Sequence, residues 1–369
     1  MNTNFRKLPG LYAKSIATAQ GGNDFDVVRS ASSRNAIEAL CMLFTSVHPL
    51  NSTGHGKVQR LFVPMHLMTT VGSRNRQDVN QLLPRCSALF IDEAQDMGPS
   101  TLRLLLSIVE QSDEGDANSR SAHIFFDNAQ NVYGTKTPKW SDFGLDMRGR
   151  STIMRESFRS TTPITELAVN VLNLLSDEND RKDQQELLAL GLLEPARRNG
   201  QDWLHVRFNQ IDGPKPIFHT YDHRSAEMAG LAKHLKYLVR QESISPQDIC
   251  LIYNGRAQQI LESELKPLMG EIGVELSVQK NRPFERQANT LVATTAHSYK
   301  GYESEVVMIP CVDHFIAPEG KILANSLYVA MTRARSLLGI YGVNGGSSAA
   351  QRLQATIFHC IQALNSTPH

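Results

Sequence analysis

The segment ALFIDEAQD, Ala88 to Asp96, runs an apolar stretch into two adjacent carboxylates, Asp92 and Glu93. Such a stretch reads as a buried strand, and ligands of open α/β sheets bind where such strands end. At that edge Asp92 is suited to hold Mg²⁺, because hard cations prefer carboxylate oxygen. Glu93 is placed to orient and deprotonate a water attacking a γ-phosphate. An isolated Asp-Glu pair more often just opens a surface loop, so the neighbouring segments carry the weight. A second apolar run, His123–Phe126, leads into Asp127-Asn128-Ala129-Gln130-Asn131-Val132-Tyr133. Gln130 is chemically able to sense a terminal phosphate or position water. Tyr133 offers a flat face for a nucleobase, with stacking worth roughly 1–3 kcal/mol per base; taken alone, it serves equally as a half-buried packing residue. Further on, Arg159 lies in MRESFRST and Arg333 in LYVAMTRAR. A lone arginine is usually solvated or ion-paired. Two guanidinium groups aimed at a phosphate by a second domain would instead stabilise transition-state charge, an effect of about 10³–10⁵ in rate.

These residues need strands and helices to position them. The clearest strands are ALFI (Ala88–Ile91), HIFF (His123–Phe126), ICLIY (Ile249–Tyr253), LVATT (Leu291–Thr295) and VVMI (Val306–Ile309). Each is a continuous apolar run, as in parallel sheets buried on both faces. Helical patterns separate them. Thr101–Glu110 follows Pro99-Ser100, a helix start. Ile164–Leu175 puts Leu167, Val171, Leu174 and Leu175 on one stripe, and Ala257–Met269 does so with Ile260, Leu261, Leu265 and Leu268. The alternation predicts an α/β protein with mainly parallel sheets. Ser112–Arg120 reads as a loop and Ser176–Glu186 as an exposed insertion. A boundary near residue 150 divides the chain into residues 1–150 and 151–369, with 1–80 poorly defined.

Composition sets the frame. The 369 residues carry 38 Lys+Arg against 37 Asp+Glu, and 41% are hydrophobic. That balance excludes collagen-like, coiled-coil and wholly disordered chains. It neither supports nor excludes nucleic acid, since a groove for phosphates needs local rather than global basicity. No apolar run approaches the ~20 residues that span a bilayer, and the first residues lack the apolar core of a secretory signal. The expectation is a soluble, cytoplasmic protein with no membrane partner. The 5 Cys form no CxxC and the 12 His no HExxH, which predicts free thiols and no zinc site.

In order, these segments resemble the motifs of the UvrD/Rep-like superfamily 1 DNA helicases. DEAQD is similar to their Walker B motif, FDNAQNVYG to GDxxQxIY, and MRESFRST to the NYRS motif. TTAHSYKGYESEVV is similar to T-x-H-x-x-KG-x-E, and LYVAMTRARSLL to VA-x-TRA. The resemblance spans roughly residues 82–345. It implies two RecA-like domains, the first incomplete in this chain, that close around ATP and Mg²⁺ and move 3′ to 5′ along DNA, single-stranded or partly duplex. It implies Asp92 for Mg²⁺, Glu93 as catalytic base, Gln130 as γ-phosphate coupler and Arg159 and Arg333 as arginine fingers. Glu303 would bind the ribose, and Tyr133, Thr295 and His297 would face DNA, with Trp140 standing in for the family's stacking tryptophan.

Departures from the family are equally specific. No GxxxxGK followed by Ser or Thr occurs. The nearest string, Asn51-Ser52-Thr53-Gly54-His55-Gly56-Lys57-Val58, keeps Gly56-Lys57 but lacks the first glycine and the metal-binding hydroxyl. Lys57 precedes Asp92 by only 35 residues. The string is therefore either a degenerate phosphate loop or a glycine-containing surface turn. The expectation is that the loop is lost, truncated from this chain or supplied by another polypeptide, and that the chain alone hydrolyses ATP slowly or not at all. Phe126 replaces the family's glycine, and Arg282–Gln287 leaves no room for a large insertion before LVATT. A helicase-like scaffold or nucleic-acid-binding subunit without catalysis is the competing reading.

Overall fold

The structure, a computed structural model, describes residues 43–44, 60–61, 86–111, 119–130, 140–150, 159–176, 182–280 and 284–366. Lys57, Tyr133 and residues 154–158 of the MRESFRST segment lie outside the described residues. The chain divides into two compact units, one of Met1–Asn128 with Tyr133–Thr152 and one of Ala129–Val132 with Ile153–His369.

In the first unit, β1 (Leu43–Phe44) pairs antiparallel with β2 (Arg60–Leu61). A parallel pair joins β3 (Ala88–Ile91) to β4 (Ser121–Ile124), with Ala88 level with Ser121 and Ile91 with Ile124. Helix α1 (Pro99–Ser107) connects them. Pro99 starts it without cost, because a first-turn N–H has no partner within the helix. Leu89, Ile91, Leu102 and Leu105 form the shared core. The HIFF reading needs correction. The strand is Ser121–Ile124 and alternates between exposed and partly buried positions, so it is not a strand buried on both faces. Phe125 leaves the strand, where its N–H donates to Ile91 O and its carbonyl accepts from the Ala94 N–H.

The second unit is built on six parallel strands in the order β7-β12-β11-β8-β10-β9. They are β7 (Ile217–Tyr221), β8 (Ile249–Tyr253), β9 (Glu275–Val278), β10 (Thr290–Thr295), β11 (Ser304–Ile309) and β12 (Ala334–Val343). A hairpin of β5 (Leu193–Arg198) and β6 (Gln201–Val206) stands apart from this sheet. Every residue of β8 is buried, as a central strand covered on both faces requires. On one face pack α2 (Thr162–Leu175), α5 (Ala324–Met331) and α6 (Ser348–Asn365), while the short α3 (Lys182–Ala189) packs by Leu187 and Leu188 beside the β5–β6 hairpin. Helix α4 (Arg224–Arg240) covers the other face together with a helical run from Gln258 to Glu271. This is the α/β class that the sequence predicts, with a mainly parallel sheet.

That helical run corrects a second expectation. Instead of one regular helix, Leu261–Leu265 is a π-turn between two short α segments. Pro267 cannot donate to the carbonyl four residues back, and a wider turn ahead of it relieves the conflict. The extra residue rotates the apolar stripe, so Leu261, Leu265 and Met269 are buried while Ile260 and Leu268 are only partly so. The cysteines Cys86, Cys250, Cys311 and Cys360 are free and buried, whereas Cys41 lies outside the described residues. Among the described residues, no helix is long and apolar enough to cross a membrane.

Close packing between α4 and β7 rests on Gly230, where a Cβ would lie 2.1 Å from the Tyr221 hydroxyl oxygen. Gly230→Ala is therefore expected to destabilise the unit by about 1–3 kcal/mol through overpacking, despite the better helix propensity of alanine. Urea unfolding followed by circular dichroism checks this, and a stabilised variant would contradict it.

Candidate functional site

In the first unit the end of β3 delivers the acidic pair. Glu93 adopts a left-handed conformation, φ 55°, that a non-glycine residue holds only at a cost of order 1 kcal/mol. The turn is held by local bonds. The Glu93 N–H donates to Asp92 Oδ1 at 3.0 Å, and Gln95 Nε2 donates to Glu93 Oε2 at 2.6 Å. Gln95 is buried, and its Oε1 accepts from the Asp127 N–H at 3.0 Å. Asp92, Glu93 and the start of the Asp127–Gln130 segment are thus drawn to one sheet edge, and Gln95, which the sequence reading did not single out, ties them together. The signal for Gln95 lay in plain view as the amide inside DEAQD. Trp140 packs against Phe126 (ring centroids 5.5 Å) and Phe143 (6.3 Å), so its ring is committed to aromatic packing in this arrangement.

Arg159, Glu303, Arg333 and Gln130 come together in the second unit, near the amino edge of β11 and β12. Arg159, just before α2, pairs with Glu303 through Nε at 3.2 Å from Oε2. Arg335 approaches the other Glu303 oxygen at 3.9 Å and pairs with Glu305 at 3.1 Å. Arg286 fixes the same residue by its backbone, donating to Glu303 O at 2.8 Å. Beside them Arg333 is 1% exposed. It donates to Val329 O at 3.1 Å, to Thr332 Oγ1 at 3.2 Å and to Gln130 Oε1 at 3.3 Å. Lys300 donates to the Gln130 carbonyl at 3.0 Å. Gln130 is thereby gripped at both its side chain and its backbone, and Ala129 beside it packs on the core of this unit. The arrangement assembles guanidinium and ammonium groups able to take a polyphosphate, with a carboxylate among them able to accept from hydroxyls. Arg286 and Arg335 were not foreseen. Arg335 stands two residues beyond Arg333 at a strand start, a spacing that could have flagged it.

Thr295 and His297 lie elsewhere, at the carboxyl end of β10. Thr295 Oγ1 caps a turn by donating to Ser298 Oγ at 3.3 Å and accepting from the Ser298 N–H at 3.4 Å. From there, residues 296–303 return to the amino end of β11. The buried Tyr299 anchors this segment, bonding to Ser304 Oγ at 2.5 Å and meeting Phe284 edge-on at 4.6 Å.

A buried charge network occupies the carboxyl edge. Arg224, at the start of α4, pairs with Glu227 and, through its second amino group, with Asp313 Oδ2 at 2.5 Å. Glu227 is fully buried and accepts from the Cys311 N–H at 2.7 Å, a residue itself held at φ 52°. Burial pushes the Glu227 carboxyl up to about 7, against the pull of Arg224 and of the Cys311 N–H. His314 stays below its usual range through burial, which suits its nitrogen lying 3.3 Å from the Arg224 guanidinium. Among the described residues no group of three His, Cys, Asp or Glu side chains converges to hold a metal ion.

No protein-family model and no curated protein matches the chain. Among solved structures, it is similar to the C-terminal domain of a possible DNA helicase from Lactobacillus plantarum WCFS1. That match has 15% identity over 55% of this chain and 96% of the other, with a TM-score of 0.36.

Proposed function

We propose that the chain is the motor part of an ATP-dependent, 3′-to-5′ helicase-type translocase acting on single-stranded or partly duplex DNA. The observation that carries this reading is the gathering of Arg159, Glu303, Arg333, Lys300 and Gln130 at one sheet edge of the second unit, from four separate stretches of sequence. The ordered motifs and the constrained Asp92–Glu93 turn support it independently. ATP with Mg²⁺ supplies the phosphoryl group when bound. Asp92 would hold the metal, and Glu93 would orient the attacking water and receive its proton. Arg159 and Arg333 would neutralise charge on the transferring phosphate, and Glu303 would accept from the ribose hydroxyls. Gln130, held by Arg333, would report the state of the phosphate, while Thr295, His297 and Tyr133 would face the nucleic acid.

A second reading, a helicase-like nucleic-acid-binding subunit without catalysis, is favoured by the missing phosphate-loop signature, since Lys57 stands in a string lacking its key residues. Hydrolysis is the outcome that separates the two, because slow hydrolysis by this chain alone fits both a motor whose phosphate loop another polypeptide supplies and a subunit without catalysis. The 369-residue chain is expected to bind single-stranded DNA with an affinity that weakens steeply with salt, and to hydrolyse ATP slowly or not at all by itself. DNA-stimulated hydrolysis at ordinary motor rates, abolished by Glu93→Gln, would show a complete nucleotide site and retire the scaffold reading. Absence of any DNA binding would overturn both.

A further inference from the structure

The short strap that leads from Arg159 into α2 is gripped from two sides. On one side the Thr161 N–H donates to Arg335 O at 3.0 Å and Ser160 Oγ donates to Thr332 O at 3.4 Å, which ties the strap to the start of β12. On the other side lies the loop after β6, residues 209–213. The Thr162 N–H donates to Ile211 O at 2.6 Å, and Thr162 Oγ1 donates to the same carbonyl at 3.0 Å. A loop carbonyl thus meets the first N–H of α2, while Thr161 makes no side-chain cap bond of its own. Gly213 completes the contact, because a Cβ there would collide with Thr161 Cγ2.

Asn209 holds this loop against the strap. It is 3% exposed, and both polar atoms of its side chain are used. Its Nδ2 donates to Ser160 O at 2.6 Å and to Thr165 Oγ1 at 2.8 Å, and its Oδ1 accepts from the Ile211 N–H at 3.0 Å. Two donors and an acceptor are needed on one short side chain, which the asparagine amide supplies. The peptide group between Ser160 and Thr161 is therefore held at both ends, its carbonyl by Asn209 and its N–H by Arg335 O. Because a peptide group is planar, two such bonds fix its rotation and with it the direction in which the chain leaves Arg159.

We infer that Asn209 is a positioning residue for Arg159. It acts through the Ser160 carbonyl and sets the point from which the guanidinium reaches Glu303, 3.2 Å away. Its consequence for phosphate binding rests on the proposed role of Arg159. Supporting groups hold a functional side chain to within about 0.5 Å, and a misplacement of about 1 Å is enough to cost roughly 10²-fold.

Two measurements on the full chain test the inference. Modification of arginines by phenylglyoxal, followed peptide by peptide by mass spectrometry, reads the setting of Arg159 without any nucleotide. Asn209→Asp keeps an acceptor for the Ile211 N–H but loses the donors. It is expected to speed modification of Arg159 about fivefold by freeing the strap to open locally, with the exposed Arg148 unchanged. Gly213→Ala removes no hydrogen-bonding group, is expected to act in the same direction, and carries the test should Asn209→Asp not fold. Gly230→Ala, which disturbs α4 instead, should leave Arg159 as it is. Equal acceleration by Gly230→Ala would mean general loosening and overturn the inference, as would an unchanged Arg159 in both loop variants. Binding of ATP with Mg²⁺ reads the consequence. Asn209→Asp should weaken it about tenfold in the parent chain and leave it unaltered in an Arg159→Ala background. A loss that persists in that background would show that Asn209 acts by another route and overturn the inference. ATP binding unaffected by Arg159→Ala itself would refute the phosphate role of Arg159, whereas the phenylglyoxal rates would still decide its positioning.

Discussion

Arg333→Ala is expected to lower the stability of the second unit by about 3 kcal/mol, a fall in melting temperature of roughly 6–12 °C. The guanidinium is 1% exposed and serves three acceptors, Val329 O, Thr332 Oγ1 and Gln130 Oε1. Truncation removes the packing of a long side chain and strips a donor from each acceptor in a place water reaches poorly. Arg333→Lys should recover only part of the loss, because an ammonium cannot span acceptors arranged for a planar fork. Differential scanning calorimetry of the three proteins decides the matter. A melting temperature within about 1 °C of the parent for the alanine variant would mean the guanidinium is solvated rather than enclosed. If Arg333 also contacts a phosphate during turnover, Arg333→Lys should depress activity far more than stability, which separates its two roles.

The second large effect concerns Glu227. Its carboxyl is raised to about 7 in the folded chain from a usual 4.5. Between these values the native state holds a proton that the unfolded chain has released. Stability is therefore greatest below about 4.5 as far as this group is concerned, falls as pH rises towards 7, and is flat above it. The full amplitude is on the order of 3 kcal/mol, the free-energy equivalent of such a shift. Glu227→Gln keeps an acceptor for the Cys311 N–H and cannot titrate, so its stability should lose this slope between pH 5 and 7. Glu227→Leu leaves both that N–H and Arg224 short of a partner at the core, and a loss of about 3–5 kcal/mol at pH 7 is expected. Urea unfolding across the pH range reads both, and a parent protein whose stability rises from pH 5 to 7 as steeply as that of Glu227→Gln would refute the titration.

Much of the six-stranded sheet was legible because its central strands are buried on both faces, and ALFI was legible as an apolar run although its burial alternates. ALFI and ICLIY match their strands residue for residue, and LVATT and VVMI lie within theirs. What was missed is equally physical. The β5–β6 hairpin has few apolar residues, and its one local signal was the Asn199-Gly200 pair, both residues at positive φ as a tight hairpin turn demands. Strand β12 hides behind two glycines, one of which, Gly339, allows the Met308 sulfur to approach where a Cβ would lie 2.4 Å away. The π-turn came from Pro267 acting on the turn before it, an effect that a periodicity count averages away. At the candidate site the residue types were readable only because several segments occur together and in order, since a lone acidic pair or a lone arginine usually marks nothing more than a surface. The ties among them were not. Nothing in the string DNAQ indicates that Gln130 answers to Lys300 and Arg333.

The connection from β10 to β11 carries a mechanical implication. Val292 and Val307 both lie level with Cys250, so Thr295 and Ser304 are offset along the sheet by about 20 Å, on opposite sides of β8. Parallel strands are ordinarily linked by about a dozen residues or more, whereas here only residues 296–303 bridge the gap, and their first part is coiled into a turn. Spare length is wound into the turns over residues 296–301, and the buried Tyr299 pins the middle of the tether. Movement of His297 at one rim therefore reaches Glu303 at the other only by unwinding those turns or dislodging Tyr299.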